Sequence, residues 1–255
     1  MRVLRLSNSY DFAGDLRPEE RSWFVAGEVL AQAAGEPVET TVRNIWPTEA
    51  LPGLVDRWLV AGEPDLVFMK INWYWYAYES VPLRIRRKLG LFGRPLASAG
   101  ENAAKIGWLS RTWAFQRSRR LVHRLMGGDS FFSEADVVER TKLVIRRIVT
   151  NEDRVVVVRA TGAGRDDTGT LADYFERYQA RTNRVEREIA AFCAELGVHF
   201  SSPDLHARED QDLGGGDGLH KGARGYRVVG EDEGAAMVAA WRASHAGTSA
   251  TSAKV

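Results

Sequence analysis

Two polar residues near the end of the chain have the types and spacing of a catalytic pair. Asp217 and His220 lie three residues apart, after the glycine run 214–216 and before a segment with helical spacing. A histidine serves as a general base near neutral pH when a carboxylate fixes its tautomer and orientation. The alternative interpretation is a polar turn that leads into a helix, because Asp-Gly-x-His is a short pattern that chance often produces. A base of this kind requires a nucleophile from another part of the chain.

The predicted elements place further polar groups beside this pair. Strand-like segments alternate with helical patterns along the chain, and this order predicts a parallel sheet covered by helices. The predicted strands are residues 2–6, 38–44, 64–72, 154–159 and 198–201. In such a sheet, functional groups gather in the loops beyond the carboxyl ends of the strands. The nucleophile is therefore expected in one of these loops.

Three of the predicted loops carry groups that could form an acyl-transfer site. Ser7 and Ser9 follow the first strand, Asn72 follows the third, and Asp217 with His220 follows the last. A serine activated by a histidine, with an amide side chain and backbone N–H groups around the oxyanion, makes a complete set for nucleophilic catalysis. Each group alone is a weak signal, so the prediction depends on their joint placement.

These blocks resemble the SGNH, or GDSL-type, hydrolase family. Residues 7–10, Ser-Asn-Ser-Tyr, stand where the family has Gly-Asp-Ser-Leu after its first strand. Residues 64–68, Pro-Asp-Leu-Val-Phe, are similar to the start of its third-block strand, and residues 217–226 match its last block, Asp-x-x-His before a glycine, a ring residue and a helix. The resemblance implies a three-layer α/β/α sandwich with a parallel, flavodoxin-like sheet. It covers both ends of the chain and the third strand.

Carried over to this sequence, the resemblance implies a catalytic triad. Ser9 is then the nucleophile and also donates its backbone N–H to the oxyanion, His220 is the base, and Asp217 orients the histidine. Residues 128–131, Gly-Asp-Ser-Phe, are closer in letters to the GDSL block. A basic segment with helical character leads into them instead of a strand, so Ser130 is the minor alternative.

The sequence departs from the family at the oxyanion hole. The second-block glycine is missing from residues 44–47, Asn-Ile-Trp-Pro, where a backbone N–H of Ile45 or Trp46 is the candidate donor. Strict alignment of the third block puts Asn72 on a glycine, so Asn72 serves as a donor only after a shift of two residues. Loss of one donor typically costs about a hundred- to a thousand-fold in rate. An incomplete oxyanion hole therefore predicts a slow enzyme.

An aromatic cluster and a basic segment follow the third strand. Trp73, Tyr74 and Tyr76 could line an acyl or sugar pocket at the strand end, or could pack in the core beneath a cap. Residues 79–133 are predicted to form a helical cap insertion. From Arg84 to Arg124 there are 11 Lys or Arg and 1 acid, a local charge of +10, which leaves 35 − 11 = 24 basic and 34 − 1 = 33 acidic residues elsewhere.

This local charge suits an acidic partner. An anionic membrane, a nucleic acid and an acidic carrier protein are the candidates, although the sequence resembles no specific nucleic-acid module. The alternative is a solvated cap that faces the acidic body of the protein. The remaining histidines lack metal-ligand spacing with a cysteine or a second histidine, and residues 162–164 lack the rest of a phosphate loop. No metal or cofactor is expected.

One hydrolase-like domain is expected over residues 1–242, with a terminal helix loosened by glycines and a disordered tail over residues 245–255. The single cysteine, Cys193, fits a reducing compartment. No apolar run is long enough for a transmembrane helix, and the first residues lack the pattern of a secretory leader. These observations favour a cytoplasmic location.

The leading hypothesis is a serine esterase or deacylase. It would hydrolyse an acyl ester of a small molecule, glycan or lipid through an acyl-enzyme, with acetyl among the candidate groups. Two alternatives use the same fold: an acyltransferase whose cap admits a second alcohol, and a binding protein with weak catalysis. The missing glycine and the displaced asparagine motivate the last alternative.

Overall fold

Five parallel strands form one sheet in the part of the chain that the computed structural model describes. The described residues are 1–12, 16–105, 112–150, 154–161, 175–203 and 222–252. The strands are β1 (Arg2–Ser7), β2 (Glu39–Asn44), β3 (Leu66–Ile71), β4 (Val155–Ala160) and β5 (His199–Ser201). Their order across the sheet is β2-β1-β3-β4-β5. This is the flavodoxin-like order, so the predicted fold class is confirmed.

Helices cover both faces of the sheet. They are α1 (Ser22–Ala34), α2 (Leu51–Gly62), α3 (Val81–Lys105), α4 (Trp113–Met126), α5 (Glu134–Ile148), α6 (Phe175–Glu195) and α7 (Ala223–Ser252). α1 and α7 pack together on one face, while α2, α5 and α6 form the layer on the other. The described helices and the sheet therefore make a three-layer α/β/α sandwich.

The strands alternate their side chains between two apolar clusters. Leu4 and Leu6 of β1 face the α2/α5/α6 layer, and Val3 faces the α1/α7 layer. Every residue of β3 and of β4 is buried, as expected for central parallel strands covered on both faces. The sheet is thus the common wall of two cores.

Glycines let α7 approach α1 closely. A Cβ atom added at Gly230 would lie 2.6 Å from Val25 Cβ, and one at Gly234 would lie 2.6 Å from Val29 Cβ. Neither position has room for a side chain, so these glycines bring two helices together instead of loosening one. α7 also continues to Ser252, through most of the segment expected to be disordered.

The insertion consists mainly of α3 and α4 and returns to the sheet at the aromatic cluster. α3 bends at Gly90, whose φ of 55° and ψ of −128° suit a residue without a side chain. A β-bridge joins Ser80 to Asp129 at the base of the insertion. Beyond it, the Phe132 N–H donates to the Trp75 carbonyl at 3.0 Å. The insertion is therefore anchored beside the carboxyl edge of the sheet.

Candidate active site

Ser9 and Asn72 follow neighbouring strands at equivalent positions. β1 and β3 pair in register, with Leu6 opposite Met69. Ser9 lies three residues beyond Leu6, and Asn72 lies three residues beyond Met69. The structure therefore brings the predicted nucleophile and the predicted side-chain oxyanion donor to the same edge of the sheet.

The loop after β2 reaches the same edge but offers fewer donors than predicted. Ser7 pairs with Asn44, and the Ile45 N–H donates to the Ser7 carbonyl at 2.8 Å. This bond engages the Ile45 N–H within the sheet, so Ile45 is not available as an oxyanion donor. Trp46 lies two residues beyond Asn44, as Ser9 lies two beyond Ser7. Its N–H is the remaining candidate on this loop.

Ser9 opens a short 3-10 helix, Ser9–Asp11, that begins just after β1. The Asp11 N–H donates to the Asn8 carbonyl at 3.1 Å, and the Phe12 N–H donates to the Ser9 carbonyl at 3.0 Å. Asn8 and Asp11 are buried on either side of Ser9, whereas Ser9 itself is exposed. Ser9 is thus exposed to solvent on a loop whose flanking residues, Asn8 and Asp11, are buried.

A buried ion cluster fixes the loop that carries Ser9. It is formed by Arg5, Asp11, Lys70 and Glu233. The Arg5 guanidinium contacts both Asp11 carboxylate oxygens, with Nε at 2.5 Å and Nη2 at 3.1 Å, and Nη2 also donates to Glu233 Oε2 at 2.5 Å. Lys70 Nζ lies 2.7 Å from Glu233 Oε1 and 3.8 Å from Asp11 Oδ1. The Ser22 hydroxyl adds a bond of 2.9 Å to Asp11.

The four charges of the buried ion cluster stabilise one another. Burial opposes ionisation of Arg5, but the carboxylates of Asp11 and Glu233 outweigh it and raise the pKa of Arg5. Burial likewise opposes ionisation of both acids, yet Arg5 and Lys70 hold the pKa of Asp11 and that of Glu233 below their ordinary values. All four side chains are at most 4% exposed, so the two cations balance the two anions away from water.

The buried ion cluster links the two ends of the chain. Asp11 follows the predicted nucleophile by two residues, and Glu233 belongs to α7, the helix that comes directly after the predicted base in sequence. Arg5 bonds to both acids at once. One guanidinium therefore fixes the nucleophile loop against the last helix.

Sequence reasoning missed this cluster, although a signal was present. Lys70 lies in a strand whose other residues are all apolar, and Arg5 lies between leucines in β1. A charged side chain within a central strand is buried only when it is paired. The positions of Arg5 and Lys70 in the sequence therefore indicate that carboxylate partners lie inside the fold.

Asn72 has a definite local role at the end of β3. Its side-chain oxygen accepts a hydrogen bond of 3.0 Å from the Tyr74 N–H and so caps the 3-10 helix Trp73–Trp75. The NH2 group is thus the part of this side chain that could bind an oxyanion. Thr161, the residue after β4, supports the same loop, since its hydroxyl donates to the Ile71 carbonyl at 2.9 Å. Sequence analysis did not single out Thr161.

Burial favours core packing for two of the three aromatic residues predicted to bind substrate. Trp73 is 2% exposed and Tyr76 is fully buried, and both belong to the larger apolar core. Burial also raises the pKa of the Tyr76 hydroxyl. Tyr74 is partly buried and stacks on Tyr78 with ring centroids 4.5 Å apart. Tyr74 alone of the three keeps a surface that a substrate could reach.

The insertion contributes aromatic rings that the sequence did not assign to this edge. Phe131 packs edge-on against Trp46 at 5.5 Å and also lies 5.4 Å from Tyr74, both between ring centroids. Phe132 lies 6.3 Å from Trp46. The rings therefore connect the loop after β2 with the loop after β3.

Asp217 and His220 lie outside the described residues. The described histidines are His123 in α4, His199 in β5 and His245 in α7. None of these three lies in a loop that follows a strand. The two other histidines of the sequence, His206 and His220, belong to the stretch 204–221 outside the described residues.

Ser130 occupies a different setting from Ser9. It follows α4 and precedes α5, as expected from the helical pattern before it, and its hydroxyl accepts a hydrogen bond of 2.9 Å from Arg181. The neighbouring Asp129 pairs with Arg84 at 3.1 Å. This Gly-Asp-Ser-Phe segment thus forms the base of the insertion. As for metals, no group of three or more His, Cys, Asp or Glu side chains in the described ranges is arranged to hold an ion.

No protein-family model matches the sequence, and no curated protein matches it. Several solved structures match the fold. An inhibitor-bound aryl esterase from M. smegmatis is 13% identical and has a TM-score of 0.52, with 94% of this chain and 99% of that chain covered. A catalytic mutant of an acetylxylan esterase from Geobacillus stearothermophilus is 11% identical, with a TM-score of 0.52 and 93% of each chain covered.

The structure of TesA gives the same result. TesA is 11% identical to this chain with a TM-score of 0.52, and the match covers 93% of this chain and 98% of the TesA chain. At such identities the similarity shows the fold alone. The chain has the fold of the SGNH-type hydrolases.

Proposed function

We propose that the chain is a serine ester hydrolase that works through an acyl-enzyme. The observation that carries this proposal is the exposed Ser9 at the carboxyl edge of β1, level with Asn72 and Trp46 on the flanking loops. A nucleophile with oxyanion donors on two sides is what acyl transfer requires. The substrate class is an acyl ester of a small molecule, glycan or lipid, with acetyl among the candidates.

In the proposed reaction, His220 takes the proton from the Ser9 hydroxyl as its oxygen attacks the ester carbonyl. The oxyanion of the tetrahedral intermediate accepts hydrogen bonds from the Ser9 N–H, the Trp46 N–H and the Asn72 NH2 group. Collapse expels the alcohol, which takes the proton from His220. A water molecule deprotonated by His220 then attacks the acyl-enzyme, releases the carboxylic acid and restores Ser9. Asp217 orients the histidine throughout.

Labelling with a fluorophosphonate tests the nucleophile. We expect the intact protein to be labelled at Ser9, and Ser9→Ala to lose the label, because an activated serine attacks phosphorus as it attacks a carbonyl. Ser130→Ala is the matched control and should label like the wild type. Label that survives Ser9→Ala and disappears in Ser130→Ala would reverse the assignment.

Turnover of a short p-nitrophenyl ester tests the base. His220→Ala should lower kcat by at least about a thousand-fold, since a lost general base removes activation of the serine and of the water. His206→Ala changes a histidine of the same stretch 204–221 and should retain activity. The reverse pattern would move the base to His206.

A binding protein with weak catalysis is the second candidate, favoured by the engaged Ile45 N–H. With that N–H bonded to Ser7, only Trp46 remains on the second loop, and the second-block glycine of the family is missing from residues 44–47. Measurable ester turnover that Ser9→Ala abolishes excludes this candidate. Ligand binding without turnover would support it.

A further inference from the structure

The insertion carries a set of large apolar side chains that project into solvent. Phe92 is 93% exposed, Leu125 is 76% exposed and Trp113 is 72% exposed. We name this set the basic-apolar face; its apolar members are Leu89, Leu91, Phe92 and Leu96 of α3 and Trp113, Leu121, Val122 and Leu125 of α4. Single exposed apolar residues are ordinary on protein surfaces, but a concentration on two neighbouring helices marks an interaction site.

The spacing in α4 places the apolar side outward. Trp113, Arg117, Leu121 and Leu125 follow one another at intervals of four residues, and all are exposed. Residues four apart lie on one face of a helix. The opposite side of α4 carries the buried His123, which faces the protein. The exposed face of α4 therefore consists of apolar side chains with one basic residue, Arg117, among them.

Basic side chains surround the apolar members of this face. Its exposed bases include Arg86, Lys88, Arg94, Arg117 and Arg124. The Arg117 guanidinium lies over the Trp113 ring, 5.0 Å from its centre. The stretch from Arg84 to Arg124 contains 11 bases and 1 acid. The positive charge thus coincides with the exposed apolar surface.

We propose that the basic-apolar face docks on the surface of an anionic lipid bilayer. Helices that lie in a membrane interface combine exposed Trp, Phe and Leu with Lys and Arg, because the rings and aliphatic chains enter the acyl boundary while the bases meet the headgroups. Each base near an anionic surface adds to the attraction. No helix in the described ranges is long and apolar enough to cross a membrane.

Other partners fit the face less well. A nucleic acid would use the bases, but phosphate contacts do not require exposed side chains such as Phe92 and Leu125. The same face of a second copy would bring two surfaces with an excess of bases together. A lipid surface with negative headgroups uses both the charge and the apolar side chains.

Flotation of the full chain with vesicles tests the proposal. Vesicles of phosphatidylcholine containing 30% phosphatidylserine should bind the protein, and vesicles of phosphatidylcholine alone should bind it at least tenfold more weakly. Arg94→Gln with Arg117→Gln should weaken binding to the anionic vesicles about 30-fold. Binding should also fall as salt is raised, since salt screens the attraction.

Removal of the apolar anchors tests the other half of the face. Phe92→Ser with Leu125→Ser should weaken binding about tenfold or more, because their burial in the interface is lost. Val60→Ser is the matched control: Val60 is 80% exposed on α2, away from the insertion, and its loss should leave binding unchanged. Circular dichroism establishes that each variant is folded.

Three outcomes would overturn the proposal. Absence of binding to anionic vesicles is the first, and equal binding to neutral and anionic vesicles is the second. The third is an oligomer, seen by light scattering, that the Phe92→Ser and Leu125→Ser variant dissociates, which would assign the face to a second copy of the chain.

Discussion

The buried ion cluster and the basic-apolar face both carry concentrated charge, but they use it in opposite ways. In the cluster, Arg5 and Lys70 are matched by Asp11 and Glu233, and all four side chains are at most 4% exposed. On the insertion, 11 bases accompany 1 acid between Arg84 and Arg124. Charge that is balanced and buried holds parts of the protein together. Charge that is exposed and in excess is what the proposed contact with an anionic bilayer uses.

The contrast extends to the apolar groups beside the charges. The Arg5 guanidinium lies 4.9 Å from the centre of the buried Phe68 ring, and the α1/α7 layer covers both. Arg117 lies at a similar distance over Trp113, yet that ring is 72% exposed. The same pair of chemical groups thus forms part of a core in one place and an open surface in the other. Surroundings, more than residue type, decide the role.

Removal of Arg5 should give the largest effect on stability. Arg5→Ala leaves Asp11 and Glu233 buried with one cation, and loss of one partner from a buried ion pair typically costs about 3–5 kcal/mol. Urea unfolding monitored by tryptophan fluorescence measures this loss. Arg147→Ala is the control, because its pair with Asp56 is about half exposed and should contribute at most about 1 kcal/mol. Equal losses in the two variants would remove the distinction between buried and exposed charge.

The cluster also predicts how stability depends on pH. The pKa values of Asp11 and Glu233 are held below their ordinary values, chiefly by Arg5 and Lys70 against the opposing effect of burial. The unfolded chain therefore binds protons first as the pH falls. The stabilisation is complete above about pH 5, since unfolded Asp and Glu have pKa values of about 3.9 and 4.3. The stabilisation is lost as the pH falls further and passes through the lowered pKa values that Asp11 and Glu233 have in the folded protein.

Glu233→Gln isolates one of these carboxylates. Between about pH 5 and pH 3, the unfolding free energy of the variant should fall less steeply than that of the wild type, by up to about 1.4 kcal/mol per pH unit. The other carboxylates titrate in both proteins, so the difference in slope belongs to Glu233. Urea unfolding at a series of pH values measures it, and identical slopes would show that folding does not lower the pKa of Glu233.

The sequence was sufficient to predict the strands, the parallel sheet and the position of Ser9, because each depends on local patterns. Alternation of strand and helix implies crossovers, and crossovers imply parallel strands. The bond between Arg5 and Glu233 joins residues 228 positions apart. Periodicity indicates which face of a strand Arg5 occupies, but it carries no information about which helix residue meets it. The carboxylate partners of Arg5 could therefore not be predicted from the sequence.

Two further features depend on geometry that local patterns do not contain. The Ile45 N–H is engaged because β2 and β1 align so that it meets the Ser7 carbonyl, and this register follows from the packing of the whole sheet. From the sequence, Gly230 was expected to loosen the last helix. In the structure, a Cβ atom added at Gly230 would lie 2.6 Å from Val25 Cβ, so the absence of a side chain there lets α7 pack against α1. Close approach of two segments distant in sequence explains both.

Neutralisation of the basic-apolar face should give the smallest effect on stability. Arg94→Gln with Arg117→Gln should change the unfolding free energy by less than about 0.5 kcal/mol per residue, because both side chains are exposed and substitutions at such positions rarely cost more. The same urea unfolding used for Arg5→Ala measures it. A loss comparable with that of Arg5→Ala would mean that the bases of the insertion support the fold, like those of the cluster. An unchanged stability combined with weakened vesicle binding would show that their charge serves a partner and not the protein itself.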